Sequence, residues 1–272
     1  MSTDTASTWQ ATGQPSAIRQ FGLDELDASR IAAVKGVHQV SVIIPAKDEA
    51  ATIGAVVTAL APHGPQGSGL IDEILVVDDG SRDATAARAR AAGATVLSLP
   101  GGGSGGKGAA MAIGVDATRG DLLVFLDGDV ENTQDHFIPR LLGPLLLDAN
   151  VMLVKAYYER PFEGESTGGG RVTELSARPA LRLLFPELAA VRQPLAGETA
   201  TRRHVLAAVD LDQGYRVEIG LLIDVGTRWG ARSIAEVDLG VRIHRNRPLT
   251  ELGPMATEVL AAALARSRHR AP

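Results

Sequence analysis

Apolar runs of strand length alternate with helix-length segments through the first half of this chain. The alternation restricts the possible fold more than any other feature. Such runs occupy residues 40–44, 71–77, 95–99 and 122–126. Strands without polar alternation are buried on both faces, and helix-length connections allow consecutive strands to run parallel. The pattern predicts an α/β fold with a mainly parallel sheet covered by helices on both faces.

In the second half of the chain the regular alternation stops, and predicted helices outnumber predicted strands. Helices are predicted at residues 141–147, 172–184, 217–229 and 251–266, and strands at 151–157 and 234–243. Residues 1–20 lack periodicity and are rich in polar residues and Ala, which predicts a disordered tail. We interpret residues 21–150 as a nucleotide-binding half and residues 151–272 as a substrate-binding half of one continuous domain.

The composition excludes several classes of protein. Of the 272 residues 45% are hydrophobic and 22% are charged, which is ordinary for a globular domain. A net charge of −5 argues against a general nucleic-acid-binding protein. The chain has no Cys, so disulfides and thiolate metal sites are excluded. Signal-peptide features and membrane-length apolar stretches are missing from the sequence, so we expect a cytoplasmic protein with no membrane partner.

Asp127-Gly128-Asp129 follows the apolar run at 122–126. Two carboxylates one residue apart, where a buried strand ends, suit Mg²⁺ or Mn²⁺ bridging a diphosphate, because these ions prefer oxygen ligands. The other interpretation is a strand-to-loop turn with solvated acids, since Asp and Gly are common in turns. The motif alone leaves both interpretations open.

A Gly-rich segment at 101–106 matches the pattern G-x-G-x-x-G of dinucleotide-binding folds, and it nearly matches a Walker motif. Gly108, however, stands where a Walker motif has Ser or Thr, and the first strand leads into residues 45–49 rather than a Gly-rich turn. We therefore disfavour both interpretations; a mobile loop is the plainest one. Lys107 remains a candidate anion ligand, because it lies where a loop leads into a helix.

Polar segments follow the predicted strands at the edge where open parallel sheets bind ligands. They are residues 45–49, 78–81, the loop before Lys107, and 127–129. The carboxylates of the first two segments can accept hydrogen bonds from a base and from ribose hydroxyls. The last two segments supply a cation and a metal site for a diphosphate. Together they predict a site for a nucleoside diphosphate.

Several motifs at these positions resemble those of GT-A-fold glycosyltransferases. They are Ser-Val-Ile-Ile-Pro-Ala-Lys-Asp-Glu at 41–49, Val-Val-Asp-Asp-Gly-Ser at 76–81 and Phe-Leu-Asp-Gly-Asp at 125–129. Residues 167–175, 214–224 and 239–249 are more specific and resemble the glucosyl-3-phosphoglycerate synthase family. The resemblance covers about residues 40–262. It implies a GT-A fold with a Rossmann-like nucleotide-sugar-binding half at 21–150 and an acceptor-binding half at 151–272.

The resemblance also implies an activity and its partners. The reaction is a metal-dependent, retaining transfer of glucose from UDP-glucose to the 2-hydroxyl of 3-phosphoglycerate. Mg²⁺ or Mn²⁺ is the implied cofactor, and a homodimer is the implied assembly. Alternatives are a related glycosyltransferase with another nucleotide sugar or acceptor, a sugar nucleotidyltransferase, or a nucleotide-sugar sensor without turnover.

Residue roles follow from matching the family motifs position by position. The donor-binding residues are Pro45, Ala46, Lys47, Glu49, Asp79, Lys107, Asp127, Gly128 and Tyr215. The acceptor-binding residues are Gly170, Arg171, Val172, Thr173 and Asn246. The metal ligands are Asp129 and His244, and the catalytic residues are Asp129, Glu218 and Leu195, the last through its backbone carbonyl.

Physical chemistry supports the acceptor assignment, because 3-phosphoglycerate is a trianion and needs a second anion site. The Gly-rich turn before Arg171 offers backbone amides and a guanidinium that can bind phosphate through two hydrogen bonds. An ordinary flexible connection is the other interpretation of this turn. Two positions depart from the family pattern. Asp79 replaces a Ser near the base, and Arg216 replaces a Gly beside Tyr215.

Overall fold

The structure, a computed structural model, describes residues 18–99, 103, 105–162, 165–168, 170–243 and 249–269. Its strands are β1 (Arg19–Gln20), β2 (Val40–Ala46), β3 (Glu73–Asp78), β4 (Thr95–Ser98), β5 (Leu122–Phe125), β6 (Leu153–Glu159), β7 (Pro161–Phe162), β8 (Glu165–Gly168), β9 (Thr199–Arg202) and β10 (Ile234–Val241). Its α-helices are α1 (Ala28–Val34), α2 (Ile53–Leu60), α3 (Thr85–Ala91), α4 (Lys107–Ala117), α5 (Phe137–Leu147), α6 (Arg178–Leu184), α7 (Arg203–Leu206), α8 (Val217–Trp229) and α9 (Leu249–Arg268).

Eight strands form one sheet in the order β1-β10-β6-β9-β5-β2-β3-β4, and β7 and β8 form a separate hairpin. Within the large sheet every pairing is parallel except those of β9, which runs antiparallel to β5 and β6. The predicted α/β fold with a mainly parallel sheet is thereby confirmed. Strand β9 was not predicted, because its sequence Thr-Ala-Thr-Arg is not an apolar run.

Helices cover both faces of the sheet, as predicted. In β2, Val42 and Ile44 pack into one hydrophobic core, and Ile43 packs into the other. This alternation follows from the two-residue period of a strand. The first core includes side chains of α1, α2 and α5, and the second includes side chains of α4, α6, α8 and α9. The strands read as continuous apolar runs because each face has its own core.

Several predicted boundaries were wrong by a few residues; the strand predicted at 71–77, for example, is Glu73–Asp78. The first long strand does not end before Pro45 but continues to Ala46. Pro45 has no N–H to donate to a neighbouring strand. It is tolerated because the pairing of β2 with β5 already stops at Ile43, while on the other side Pro45 pairs with Val77 of β3. The predicted tail at 1–20 also overlaps the sheet, since Arg19–Gln20 pair with β10. Residues 1–17 lie outside the described residues.

The second half of the chain extends the sheet of the first half, and the two join where β9 pairs with β5. The helix predicted at 217–229 is confirmed as α8. Residues 172–184, predicted as one helix, contain a π-helical turn, Thr173–Ala177, followed by α6, which has Pro179 at its second position. Of the helices that the structure describes, none has an apolar stretch long enough to cross a bilayer.

Candidate active site

A cleft of about 510 Å³ lies beyond the carboxyl ends of β2, β3 and β5. Every predicted site residue in the described part of the chain lines this cleft. They are Pro45, Ala46, Lys47, Glu49, Asp79, Lys107, Asp127, Gly128, Asp129, Gly170, Arg171, Val172, Thr173, Leu195, Tyr215 and Glu218. His244 and Asn246 lie outside the described residues. The structure therefore brings the predicted donor and acceptor residues together.

The ends of β2 and β3 form one wall of the cleft. The backbone N–H of Asp79 donates to the Ala46 carbonyl at 2.9 Å, which holds the two strand ends together. Asp79 is buried, and its carboxylate lies 4.0 Å from the Lys47 ammonium. Gly103 adopts φ +79°, and an added Cβ would lie 2.8 Å from the Asp79 carboxylate. Close approach of the Gly-rich loop to Asp79 therefore requires glycine at this position.

Lys107 lies at the first position of α4, between two carboxylates. Its ammonium contacts Asp127 and lies 2.7 Å from Glu218 Oε1. Burial acts to lower the pKa of Lys107, but the charges of Asp127 and Glu218 outweigh it and raise the pKa above the ordinary value. Burial likewise acts to raise the pKa of Asp127, but Lys107 and Arg242 hold that pKa well below its usual range. Both groups are therefore charged at neutral pH.

Arg242 is a central residue of the site to which the sequence had assigned no role. Its guanidinium is only 3% exposed. Nη2 donates to Asp127 Oδ2 at 2.6 Å and to Asp129 Oδ1 at 3.1 Å, and it lies 3.2 Å from Glu198 Oε1. Burial opposes the charge, but Glu198, Tyr158 and the two aspartates raise the pKa of Arg242. Arg242 thus holds both carboxylates of the Asp127-Gly128-Asp129 motif.

Glu198 lies beneath these groups and is fully buried. Neither of its carboxyl oxygens has a hydrogen-bond partner among the described residues, and its contact with Arg242 is an ion pair only. Burial therefore raises the pKa of Glu198, and the nearby Arg242 offsets this only in part. A carboxyl without hydrogen bonds is costly to bury in its charged form. Glu198 keeps its proton to a higher pH than an exposed glutamate does.

Two arginines, Arg160 and Arg171, also line the cleft. Arg171 follows Gly170, which adopts φ +75°, and an added Cβ at Gly170 would lie 3.5 Å from Arg160 Nη1. Arg160 was not predicted, although it also lines the cleft. The Tyr158 hydroxyl accepts from Arg160 Nη2 at 2.8 Å and from Arg242 Nη1 at 3.1 Å. The two arginines make this part of the cleft suitable for an anionic ligand.

Tyr215 and Glu218 approach the cleft at the start of α8. The backbone N–H of Tyr215 donates to Glu258 Oε2 of α9 at 2.9 Å, so α9 supports this segment. Arg216, the residue that departs from the family pattern here, is exposed. Leu195 lines the cleft in the segment before β9. The site therefore combines residues from both halves of the chain.

The donor atoms at the metal position fit Mg²⁺ or Mn²⁺. Within the residues that the structure describes, no three Asp, Glu or His side chains converge as a complete metal site. Asp129 nevertheless lines the cleft with a side chain that is 30% exposed, and its carboxylate oxygens are the ligand type these ions prefer. Diphosphate oxygens and water commonly complete such a coordination shell.

Comparisons with known proteins agree with this geometry. The sequence profile described as "Glycosyl transferase family 2" matches residues 41–197. The glucosyl-3-phosphoglycerate synthase of Mycobacterium tuberculosis (strain CDC 1551 / Oshkosh) is 47% identical over 277 residues, which cover 96% of this chain and 79% of that protein.

Two crystal structures of the M. tuberculosis enzyme superpose on the fold. One, in complex with Mn²⁺, UDP-glucose and phosphoglyceric acid, has a TM-score of 0.81 at 45% identity, covering 89% of this chain and 84% of the other. The second, in complex with Mg²⁺ and uridine-diphosphate, has a TM-score of 0.81 at 44% identity with the same coverage. The chain belongs to glycosyl transferase family 2 and, within it, to the glucosyl-3-phosphoglycerate synthases.

Proposed function

We propose that this chain transfers glucose from UDP-glucose to the 2-hydroxyl of 3-phosphoglycerate with retention of configuration. The observation that carries the proposal is the cleft, which Lys107, Asp127 and Asp129 line together with Arg160 and Arg171. The first three residues suit a diphosphate with its metal, and the two arginines suit a phosphorylated acid. The M. tuberculosis relative binds UDP-glucose and phosphoglyceric acid together, which supports the same pair here.

Residues of the cleft stabilise the negative charge that develops on the leaving group during the reaction. As the bond from the sugar C1 to the diphosphate oxygen breaks, negative charge develops on the departing UDP, and Lys107 lies where it can balance that charge. Asp129, with His244, would hold the Mg²⁺ or Mn²⁺, which neutralises the diphosphate as a Lewis acid when bound. The acceptor hydroxyl attacks C1 from the face that the diphosphate leaves, and its proton passes to the departing oxygen.

Glu218 is better suited to supporting the sugar than to attacking it. Its carboxylate forms an ion pair with Lys107 at 2.7 Å, and a nucleophile held in this way would have to break that pair. A same-face mechanism needs no protein nucleophile. The Leu195 carbonyl can accept the hydrogen bond that orients the attacking hydroxyl.

The test is a reaction of the purified protein with UDP-glucose, 3-phosphoglycerate and Mg²⁺. We expect release of UDP and formation of one product with an α-linkage to the 2-hydroxyl, as determined by NMR. A panel of other nucleotide sugars and phosphorylated acids tests the donor and acceptor separately, because Asp79 could change the base preference. The proposal fails if this pair gives no product while another pair does.

The same assays distinguish the alternative functions. A sugar nucleotidyltransferase would release pyrophosphate from a nucleoside triphosphate and a sugar phosphate. A sensor would bind UDP-glucose in a calorimeter without consuming it over hours. Arg160 and Arg171 favour the transferase over the sensor, since a sensor of UDP-glucose needs no second anion site. The sugar phosphate of a nucleotidyltransferase is also an anion, so the pyrophosphate assay distinguishes that alternative.

Three finer features belong to the same proposal. Residues 21–150 would bind the nucleotide sugar and residues 151–272 the acceptor, with Tyr215 and Glu218 reaching the transferred sugar. A homodimer is predicted, and analytical ultracentrifugation of the purified chain tests it. A cytoplasmic location is also predicted, and fractionation of the source cells tests it.

A further inference from the structure

Lys155 is a buried lysine beside the active site that the proposed reaction does not use. It lies in β6 opposite Thr199 of β9 and is 1% exposed. Its ammonium donates to the Ala196 carbonyl at 2.5 Å and to the Thr199 hydroxyl at 3.2 Å. An ammonium buried this deeply is costly unless it is hydrogen-bonded, so the two acceptors must be held close to it. Lys155 therefore restrains the position of the Ala196 carbonyl.

Ala196 belongs to a turn, residues 195–198, that leads from the cleft into β9. The Ala196 N–H donates to the Gln193 carbonyl at 3.0 Å, and the Glu198 carbonyl accepts from the Ala156 N–H at 3.1 Å. Lys155 adds a side-chain bond at the middle of this turn, where β9 has not yet begun. The backbone of the turn is thus tied to β6 at two neighbouring points.

The turn touches the reacting groups on its other side. Leu195 lines the cleft. Gly197 lies directly against Asp127, because a Cβ added at Gly197 would overlap the Asp127 carboxylate. A shift of the turn would therefore move the Leu195 carbonyl and press on Asp127 at the same time. Reaction rates are sensitive to displacements of about 1 Å at such positions.

The charge of Lys155 also acts on the site. Burial lowers the pKa of Lys155 to about 8, and Glu218, Glu198 and Asp127 oppose this while Lys107 adds to it. The group is therefore still an ammonium at neutral pH, and it strengthens the hydrogen bond to the Ala196 carbonyl.

We infer that Lys155 is a positioning residue for glucosyl transfer, which holds the turn at 195–198 so that the Leu195 carbonyl and Asp127 are aligned for attack by the acceptor. The inference rests on the proposed function. Lys155 does not line the cleft and acts on Asp127, a predicted donor-binding residue, only through the turn. Its loss should therefore lower kcat far more than it weakens donor binding. A lysine that only stabilises the core would instead change stability alone.

The experiment compares Lys155→Met with Lys35→Met. Lys35 is the control, since it is also a buried lysine that does not line the cleft; it donates to the Gly69 carbonyl at 2.6 Å and to Asp72 Oδ2 at 2.7 Å. For Lys155→Met we expect kcat to fall roughly 10- to 100-fold. The KM for UDP-glucose and the calorimetric Kd for UDP with Mg²⁺ should stay within about twofold, because a lost positioning contact acts in the transition state. Lys35→Met should keep kcat and lose only thermal stability.

Two further substitutions test the inference in case Lys155→Met does not fold. Thr199→Val removes one partner of the ammonium and leaves Lys155 in place, so a smaller fall in kcat in the same direction is expected. Lys155→Arg, which keeps the charge and a donor, should recover part of kcat. Unchanged kcat in Lys155→Met, or a fall in kcat matched by an equal loss of UDP binding, would overturn the inference.

The failure of this inference is distinct from that of the proposed function. If the wild-type protein forms no product from UDP-glucose and 3-phosphoglycerate, the proposed function fails. The Lys155 and Thr199 variants are then compared with the donor and acceptor that the substrate panel identifies. If the wild type is active and Lys155→Met is equally active, only the positioning role is wrong.

Discussion

The ammonium of Lys107 lies 2.7 Å from the carboxylate of Glu218, and this ion pair joins helix α4 of the first half to helix α8 of the second. The same ammonium contacts Asp127 at the end of β5. One cation thus contacts two carboxylates, and in the proposed reaction it would also balance the charge of a diphosphate. Lys107 is therefore expected to be the cation whose removal affects turnover most directly.

Replacing Lys107 with Met should lower kcat by about 100-fold or more, because the charge that develops on UDP would lose its nearest cation. Turnover is measured by UDP release at saturating substrates. Lys107→Arg keeps the charge but moves it, so it should retain more activity than Lys107→Met. A kcat within about threefold of wild type in Lys107→Met would contradict a role in leaving-group stabilisation.

Replacing Arg242 with Met should destabilise the fold by about 3–5 kcal/mol, because removing one member of a buried ion cluster leaves Glu198 without its cation and Asp127 with Lys107 alone. Urea unfolding at pH 7 measures the change. Arg178→Met is the matched control. Arg178 pairs with Glu174 on the surface of a helix, where such a pair contributes about 0.5 kcal/mol or less.

A double substitution tests the cause of this loss. If uncompensated charge is responsible, Glu198→Gln should recover part of the stability in the Arg242→Met background. In the wild-type background, where Arg242 is present, Glu198→Gln should raise the free energy of unfolding by less. A loss below about 1 kcal/mol in Arg242→Met would show that the buried cluster tolerates an unpaired carboxylate.

Two helical glycines should respond to alanine in opposite ways. A Cβ at Gly108 in α4 would overlap the backbone carbonyl of Asp212, whereas a Cβ at Gly253 in α9 would enter open space. Gly108→Ala should therefore lower stability by about 1–3 kcal/mol and displace the segment before Tyr215. Gly253→Ala should raise stability by up to about 1 kcal/mol, since alanine is the better helix former. Melting temperatures of the two variants measure the contrast; equal shifts would contradict the packing of α4 on this segment.

Stability should depend on pH through Lys155. Its folded-state pKa of about 8 lies below the ordinary 10.5, so the unfolded chain binds this proton more tightly. The folded state is therefore penalised below pH 8, and the penalty is relieved as the pH rises from about 8 to 10.5. Relative to Lys155→Met, the wild-type free energy of unfolding should gain roughly 2–3 kcal/mol between pH 7 and pH 10.

Urea unfolding of both proteins across this pH range measures the difference. Titrating groups that do not interact with Lys155 are common to both proteins and cancel in the comparison. A difference that stays constant with pH would show that Lys155 titrates as an exposed lysine does.

Much of the fold could be predicted because its signals are local. Buried parallel strands leave uninterrupted apolar runs, and amphipathic helices leave periodic ones, so α8 was predicted with the bounds it has. Asp79 and Asp127 could be assigned to one edge of the sheet because each follows the end of such a run. Their individual roles came from the family resemblance and not from spacing.

Strand β9 and the residues that it brings together could not be predicted in this way. Arg242 binds Asp127 from a position 115 residues away along the chain, and Lys155 reaches Ala196 across 41 residues. Contacts between such distant segments depend on which strands pair and in which register, and a single sequence carries no local signal for that choice.

The sequence by itself determined the layered α/β architecture, the edge of the sheet that binds ligands, and the acids and cation available there. Only the tertiary structure decided how those charges are compensated, because compensation depends on distances between side chains from separate elements. Asp127 is shared between Lys107 and Arg242, and the turn beside it is held by Lys155. Strand β9, which lies between β5 and β6, joins the half that carries Lys107 and Asp127 to the half that carries Lys155 and Arg242.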